Sequence, residues 1–221
     1  MKEVRLIESI STFQGEGPDV GKPMLLLRFK RCNTNPPCPW CDTQVKMRVF
    51  EEAPHSLRSI QSTVEEKKLG MLITGGEPTF GLNLNQAISL INEVTAPVYN
   101  VETNGYDLVS LIKGVRKQKP IKYILSPKIF TQVDLDFYID LTTKIAPNQK
   151  VYIKLVCEDR EFIHKYLDFL QEIKFNNFRV YLMAQGKTKD ESLGNSAIIF
   201  DLAEQYGFCV SDRMHIIYNF T

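Results

Sequence analysis

The chain has 221 residues, 43% hydrophobic and 24% charged, a balance that excludes wholesale disorder and leaves enough apolar mass to bury a core without disulfide staples. A formal net charge of +1 supplies no overall field toward nucleic acid or an anionic membrane. The opening MKEVRLIESI is charged from its second residue, and apolar stretches such as Met24-Leu25-Leu26-Leu27 are far too short to cross a bilayer, so the chain reads as one cytoplasmic domain over residues 1–221 with neither signal peptide nor membrane span.

Taken in chain order, β-rich apolar runs alternate with helical patterns. A strand is expected over 23–30 and another over 71–74, followed by a helix over 84–94. Strand 98–102 leads to helix 107–117, strand 122–125 to helix 135–144, strand 151–156 to helix 160–173, and strand 179–183 to helix 197–206. In helix 160–173, Phe162, Tyr166, Leu167, Phe169 and Leu170 form one apolar stripe. Strands interleaved with helices predict a parallel α/β sheet with right-handed crossovers. Three of the strands run into short polar segments: Gly75-Gly76-Glu77-Pro78, Thr103-Asn104-Gly105 and Ser126-Pro127-Lys128. In parallel α/β folds such strand ends share one face, where ligands bind. Any one of these loops is explained by Gly or Pro ending a strand; together with the segment after strand 23–30 they favour a ligand face.

That fourth segment, RCNTNPPCPWCDT, places Cys32, Cys38 and Cys41 within ten residues. An odd total of five cysteines in a cytosol-like sequence argues against a disulfide framework. Thiolates are soft ligands suited to zinc or an iron–sulfur cluster. Structural zinc asks for a fourth protein ligand, and the nearest histidine is His55. Three thiolates on a four-iron cluster leave one iron open to a substrate or cofactor. The cluster ranks above zinc, and zinc above a thioredoxin-like Cys-x-x-Cys pair.

These residues carry a resemblance. Cys32-x5-Cys38-x2-Cys41 with Trp40, followed by Gly75-Gly76-Glu77-Pro78, resembles the radical SAM superfamily, which implies a [4Fe–4S] cluster and S-adenosylmethionine as cofactors on an incomplete (β6/α3) radical SAM partial TIM barrel. Within it, the order Thr12-Phe13-Gln14-Gly15-Glu16-Gly17, Leu27-Arg28-Phe29, Cys41-Asp42-Thr43, Ile73-Thr74-Gly75-Gly76-Glu77-Pro78, Glu102-Thr103-Asn104-Gly105 and Ser126-Pro127-Lys128 is similar to the 7-carboxy-7-deazaguanine synthase family over nearly the whole chain. The stretch from Gly207-Phe208 to Met214-His215 resembles that family's closing segment. The first cysteine gap is two residues longer than the common Cys-x3-Cys-x2-Cys and holds Pro36-Pro37.

The resemblance implies a radical ring contraction of 6-carboxy-5,6,7,8-tetrahydropterin to 7-carboxy-7-deazaguanine with loss of ammonia, a lyase reaction of 7-deazapurine (queuosine) biosynthesis assisted by Mg²⁺. It further implies a homodimer and a flavodoxin or ferredoxin reductant, with no nucleic-acid or membrane partner. Residue by residue, Cys32, Cys38 and Cys41 would ligate the cluster and Thr43 would meet Mg²⁺. Trp40, Gly76, Glu77, Ser126, Pro127 and Lys128 would contact S-adenosylmethionine. Phe13, Gln14, Gly15, Arg28, Thr74 and Thr221 would contact the pterin, with Arg28 on its carboxylate. No side chain is assigned the hydrogen abstraction.

Plainer readings stand beside these. Arg28 on an apolar strand needs an anion or an acid, and Glu16 is the acid named for a structural pair. Glu77 braces its own turn, Thr43 caps a helix, Gln14 is an exposed loop amide, Gly15 and Gly17 turn the chain, Lys128 is solvated, and His215 is a core histidine. A glycyl-radical-enzyme activase would share the cysteines and Gly75-Gly76-Glu77 but has no use for Gln14-Gly15-Glu16 or a carboxylate clamp, and a zinc-stabilised binding module would hold the metal without catalysis.

Overall fold

The computed structural model describes residues 2–39, 41, 43–116, 118–157, 159–172 and 178–220. The chain forms two compact units, one of residues up to Gln14 with Gly21–Tyr123, the other of Gly15–Val20 with Ile124–Phe220.

The first unit opens with β1 (Glu3–Leu6), β2 (Glu8–Phe13) and β3 (Pro23–Phe29), then α1 (Gln44–Val49), β4 (Ala53–Ser56), α2 (Leu57–Lys67), β5 (Gly70–Gly75), α3 (Leu82–Glu93), β6 (Tyr99–Thr103) and α4 (Leu108–Gly114). Strand β3 pairs parallel with β5, and β5 parallel with β6, while β2 runs antiparallel on the other side of β3. β1 and β4 make a separate antiparallel pair. The core is built on apolar side chains: Leu27, Phe29, Met71, Ile73, Leu90, Ile91 and Val101 are fully buried. Tyr99 joins them at no cost in unmet polarity, because its hydroxyl donates to the Val94 carbonyl at 2.6 Å and accepts from the Ala96 N–H at 3.0 Å. Helix α2 was not expected from the sequence. Ser56 caps it by accepting from the Ser59 N–H, and Leu57, Ile60 and Val64 supply the buried stripe.

Strand β7 (Ile121–Leu125) contains the boundary between the units. The second unit continues through α5 (Gln132–Thr143), β8 (Val151–Cys157), α6 (Arg160–Glu172), β9 (Arg179–Ala184), α7 (Lys189–Gly194), α8 (Ser196–Tyr206), β10 (Cys209–Ser211) and α9 (Met214–Ile217). β8 and β10 flank β9, both parallel to it. A capping box joins Thr131 and Asp134 at the start of α5. The buried stripe of α6 runs through Ile163, Tyr166, Phe169 and Leu170; Phe162 and Leu167, expected on that stripe, sit half-buried at its margin. The parallel α/β class expected from the sequence is the class observed. No helix among the described residues is long and apolar enough to cross a membrane.

Candidate active site

In the first unit, Phe29 on β3 lies opposite Gly75 on β5, and β6 is the next strand over. The carboxyl ends of the three strands are therefore neighbours, and the cysteine segment, the Gly-Gly-Glu-Pro segment and Thr103-Asn104 leave from them. The Gly76 N–H donates to the Phe29 carbonyl at 2.9 Å and the Glu77 N–H to the Arg31 carbonyl at 2.7 Å. Gly75 holds φ +123°, and a Cβ on it would stand 2.3 Å from the Phe29 carbonyl oxygen; on Gly76 it would stand 2.1 Å from that of Arg31. Only glycine admits that approach. The backbone that comes close is the end of β3 at Gly75 and the start of the cysteine segment at Gly76.

Glu77 is buried and its carboxylate is spent inside the protein. One oxygen accepts from the Thr79 N–H and hydroxyl and the Thr103 hydroxyl, at 2.9, 2.7 and 2.5 Å. The other accepts from the Asn104 N–H at 2.6 Å. Burial pushes its pKa up against the pull of these donors. Asn83 donates to the carbonyls of Arg31 and Glu77, and Asn104 Nδ2 donates to Asn33 Oδ1 at 2.7 Å. The start of the cysteine loop is thus tied to α3 by Asn83, which sequence reading did not single out, and to the end of β6 by Asn104.

Cys38 is buried, Cys32 and Cys41 are half-buried, and none is in a disulfide. The Cys41 N–H donates to the Cys38 carbonyl at 3.0 Å, and Cys32 Sγ lies 3.1 Å from the Thr34 hydroxyl. Among the described residues no three His, Cys, Asp or Glu side chains converge as ligands of one metal ion. A four-iron cluster takes one thiolate per iron and does not ask for such convergence. Three thiols on one loop, none of them in a disulfide, fit that soft-donor requirement. Cys157 does not: burial and then Asp159 push its thiol up to about 12, the condition of an inert structural cysteine.

Arg28 on β3 faces Glu8 across the β2–β3 register. Its Nε donates to Glu8 Oε2, and its Nη1 to the Thr43 hydroxyl at 3.0 Å. Lys46 of α1 donates to Glu8 Oε1 at 2.8 Å. Burial alone would raise the Glu8 pKa; the Lys46 and Arg28 charges outweigh it and hold the carboxyl below its ordinary value. The acid beside Arg28 is therefore Glu8, not the Glu16 considered from sequence. Thr43 is buried and stands at the start of α1, yet its hydroxyl makes no capping bond.

Gln14 is buried rather than exposed. Its amide donates to Asn100 Oδ1 at 3.0 Å and to Glu102 Oε1 at 3.5 Å, while the Thr74 hydroxyl donates to Glu102 Oε2 at 3.4 Å. Asn100 and Glu102 alternate along β6 and so share a face; a buried Asn within that strand was the available signal. Phe13, by contrast, is 49% exposed. Trp40 and Thr221 lie outside the described residues.

In the second unit, the buried Glu16 carboxylate is the centre of a polar cluster: Lys154 Nζ at 2.5 Å, Arg213 Nε at 3.3 Å and the half-buried His215 Nε2 at 3.8 Å. A lysine in the middle of the apolar strand VYIKLVC was the sequence signal for Lys154. His215 is a member of this cluster rather than a core histidine, and its ring packs on Gly15, where a Cβ would stand 2.5 Å from Nδ1. The Ser-Pro-Lys segment is pinned through both polar groups of its Pro127–Lys128 peptide. The Pro127 carbonyl accepts from the buried Tyr166 hydroxyl at 3.2 Å, and the Lys128 N–H donates to the Tyr138 hydroxyl at 2.9 Å. Lys128 Nζ reaches Ser126 Oγ at 2.9 Å, so it is engaged rather than merely solvated.

No protein-family model matches the chain. It is 30% identical over 175 residues to 7-carboxy-7-deazaguanine synthase of Thermoplasma acidophilum, covering 75% of each chain. To the 7-carboxy-7-deazaguanine synthase of Hyperthermus butylicus it is 23% identical over 229 residues, 97% of this chain and 92% of the relative. Among solved structures, QueE from Escherichia coli superposes with a TM-score of 0.65 at 16% identity, over 96% of this chain and 95% of that one. Streptococcus suis SuiB bound to S-adenosylmethionine gives 0.57 at 15% identity, over 88% of this chain and 52% of that one. With the cysteine loop on the end of its first parallel strand, this fold defines a radical SAM enzyme, a class whose cofactors are a [4Fe–4S] cluster and S-adenosylmethionine. Within that class, the chain belongs to the 7-carboxy-7-deazaguanine synthase family.

Proposed function

We propose that the chain converts 6-carboxy-5,6,7,8-tetrahydropterin to 7-carboxy-7-deazaguanine, contracting the ring with loss of ammonia in the synthesis of 7-deazapurines. The observation that carries this reading is the kinship over three quarters of the chain with a protein of that name. Held by Cys32, Cys38 and Cys41, a [4Fe–4S] cluster with S-adenosylmethionine supplies the radical hydrogen abstraction. The protein's own work is binding, orientation and exclusion of water.

In the first unit, Gly76 borders S-adenosylmethionine, and Glu77 acts by holding the strand ends together. Arg28 keeps its Nη2, which makes no hydrogen bond among the described residues, for the substrate carboxylate. The patch of Gln14, Thr74, Asn100 and Glu102 is rich in carbonyl and carboxylate acceptors, which suits the N–H edge of a pterin; Phe13 flanks the ring. The Thr43 hydroxyl offers a hard oxygen donor for Mg²⁺, a cation that takes few protein ligands. In the second unit, Ser126, Pro127 and Lys128 serve S-adenosylmethionine and Gly15 the pterin. The reductant is a flavodoxin or ferredoxin, and the working form a homodimer.

Anaerobic reconstitution should give brown protein with about four irons and four sulfides per chain. Incubation with the pterin, S-adenosylmethionine and dithionite should then yield the contracted product by mass, with one ammonia per turnover. A reconstituted protein that cleaves S-adenosylmethionine but leaves the pterin intact overturns the reading.

A further inference from the structure

We propose that Glu8 is a positioning residue for substrate specificity: it fixes the Arg28 guanidinium so that the remaining N–H donors are presented to the carboxylate of the pterin. The inference rests on the function proposed above and adds a residue that nothing in the sequence motifs assigns.

A guanidinium on a flexible stem is a good carboxylate receptor only when its plane is fixed beforehand, because each free rotamer must otherwise be ordered on binding. Here the plane is fixed at two points. Glu8 Oε2 holds Nε from the adjacent strand, and the Thr43 hydroxyl holds Nη1 from the start of α1. Both partners are themselves anchored. Glu8 is locked by the β2–β3 register and by Lys46 on its other oxygen, and Thr43 is buried. The side chains of Glu8 and Arg28 are each only 13% exposed, so water screens the pair weakly. Of the five donors of an Arg, the two given to Glu8 and Thr43 lie on different nitrogens, and Nη2 makes no hydrogen bond among the described residues. A carboxylate approaching Nη2 meets a donor group already oriented.

A bare charge-neutralising role for Glu8 makes a different forecast, and chain length separates the two. Glu8→Gln keeps the length and an acceptor oxygen while losing the charge. Glu8→Asp keeps the charge but draws the oxygens back by one methylene. If position matters, the reconstituted Glu8→Asp enzyme should show the KM for 6-carboxytetrahydropterin raised about ten-fold or more, and Glu8→Gln a smaller rise. The inhibition constant of tetrahydropterin, which lacks the 6-carboxylate, should move less than about two-fold in either variant. The opposite order, Glu8→Asp close to the parent and Glu8→Gln impaired, overturns positioning in favour of charge. Equal rises for pterins with and without the carboxylate also overturn it. Arg28→Ala separates this inference from the function on which it rests. Full turnover in Arg28→Ala sinks the carboxylate clamp itself, whereas an inactive Arg28→Ala beside unaltered Glu8 variants sinks only the role of Glu8.

Discussion

At the scale of single residues, the site depends on close approaches that tolerate no added atom. Gly76 is the sharpest case, with the Arg31 carbonyl 2.1 Å from where a Cβ would be. Neither atom can yield cheaply, since both belong to backbone already hydrogen-bonded between the Gly-Gly-Glu-Pro segment and the cysteine segment. Gly76→Ala should therefore cost about 1–3 kcal/mol in urea unfolding, as overpacking does, and should lower the iron retained after reconstitution. A variant as stable and as iron-rich as the parent would show that the strand ends can part freely. Glu8 gives a prediction in pH. Its folded pKa is held below the ordinary carboxylate value, so the unfolded chain takes up the proton first on acidification. The stability contributed by the ionised carboxylate is complete above the ordinary value and is lost as pH falls through the folded one. The difference in unfolding free energy between parent and Glu8→Gln should be constant above about pH 5 and shrink below it, measured by denaturant titration across that range. A difference that grows on acidification contradicts the assignment.

At the scale of elements, the Ser-Pro-Lys segment is positioned by helices rather than by its own turn. Tyr138 on α5 and Tyr166 on α6 grip Lys128 and Pro127, and Tyr138 packs edge-on against Phe169 at 6.1 Å. Tyr166→Phe removes one hydroxyl from a buried carbonyl and should cost roughly 0.5–1.5 kcal/mol, with a rise in the KM for S-adenosylmethionine; an unmoved KM would separate the segment from cofactor binding. Of these helices, α6 was legible in sequence because Tyr166, Phe169 and Leu170 lie on one stripe at helical spacing within a long segment. The long parallel strands were legible for a similar reason, being continuous apolar runs buried on both faces. Shorter pieces were not. Helix α1 has six residues and buries none, and β2 shows no clean alternation, with a half-buried and exposed pattern. The partners of charged groups were legible only in part. Arg28 on an apolar strand announced that it needed an acid, but choosing Glu8 over Glu16 requires the antiparallel register of β2 on β3. Glu16 instead meets Lys154 and Arg213, which are 138 and 197 residues away. No local pattern encodes separations of that length.

At the scale of the whole molecule, the fold does not lean on the three thiols proposed to hold the cluster. Each unit has an apolar core of its own: Leu27, Phe29, Ile73 and Val101 in the first, Ile153, Phe169, Leu182 and Ile199 in the second. A small metal-dependent module has no such core and unfolds when its ligands are lost. Here the cysteine loop hangs from the strand ends through Glu77, Asn83 and Asn104, whose bonds involve no sulfur. Replacing Cys38, which is 8% exposed, removes one sulfur at the edge of the core and should cost only about 1–2 kcal/mol, at the low end for a truncated buried side chain. Cys38→Ala should accordingly keep the far-ultraviolet dichroism of the parent and a cooperative urea transition, while losing most of the iron bound on reconstitution. It should also fail to form 5′-deoxyadenosine from S-adenosylmethionine, because a cluster short of one thiolate is not held in place to donate its electron. A Cys38→Ala protein that is unfolded without metal would return the loop to a structural zinc role. One that cleaves S-adenosylmethionine at the parent rate would move the cluster ligand to another residue. The pairing expected here, an intact fold with no cleavage, arises only if core packing and cofactor chemistry reside in separate parts of the chain.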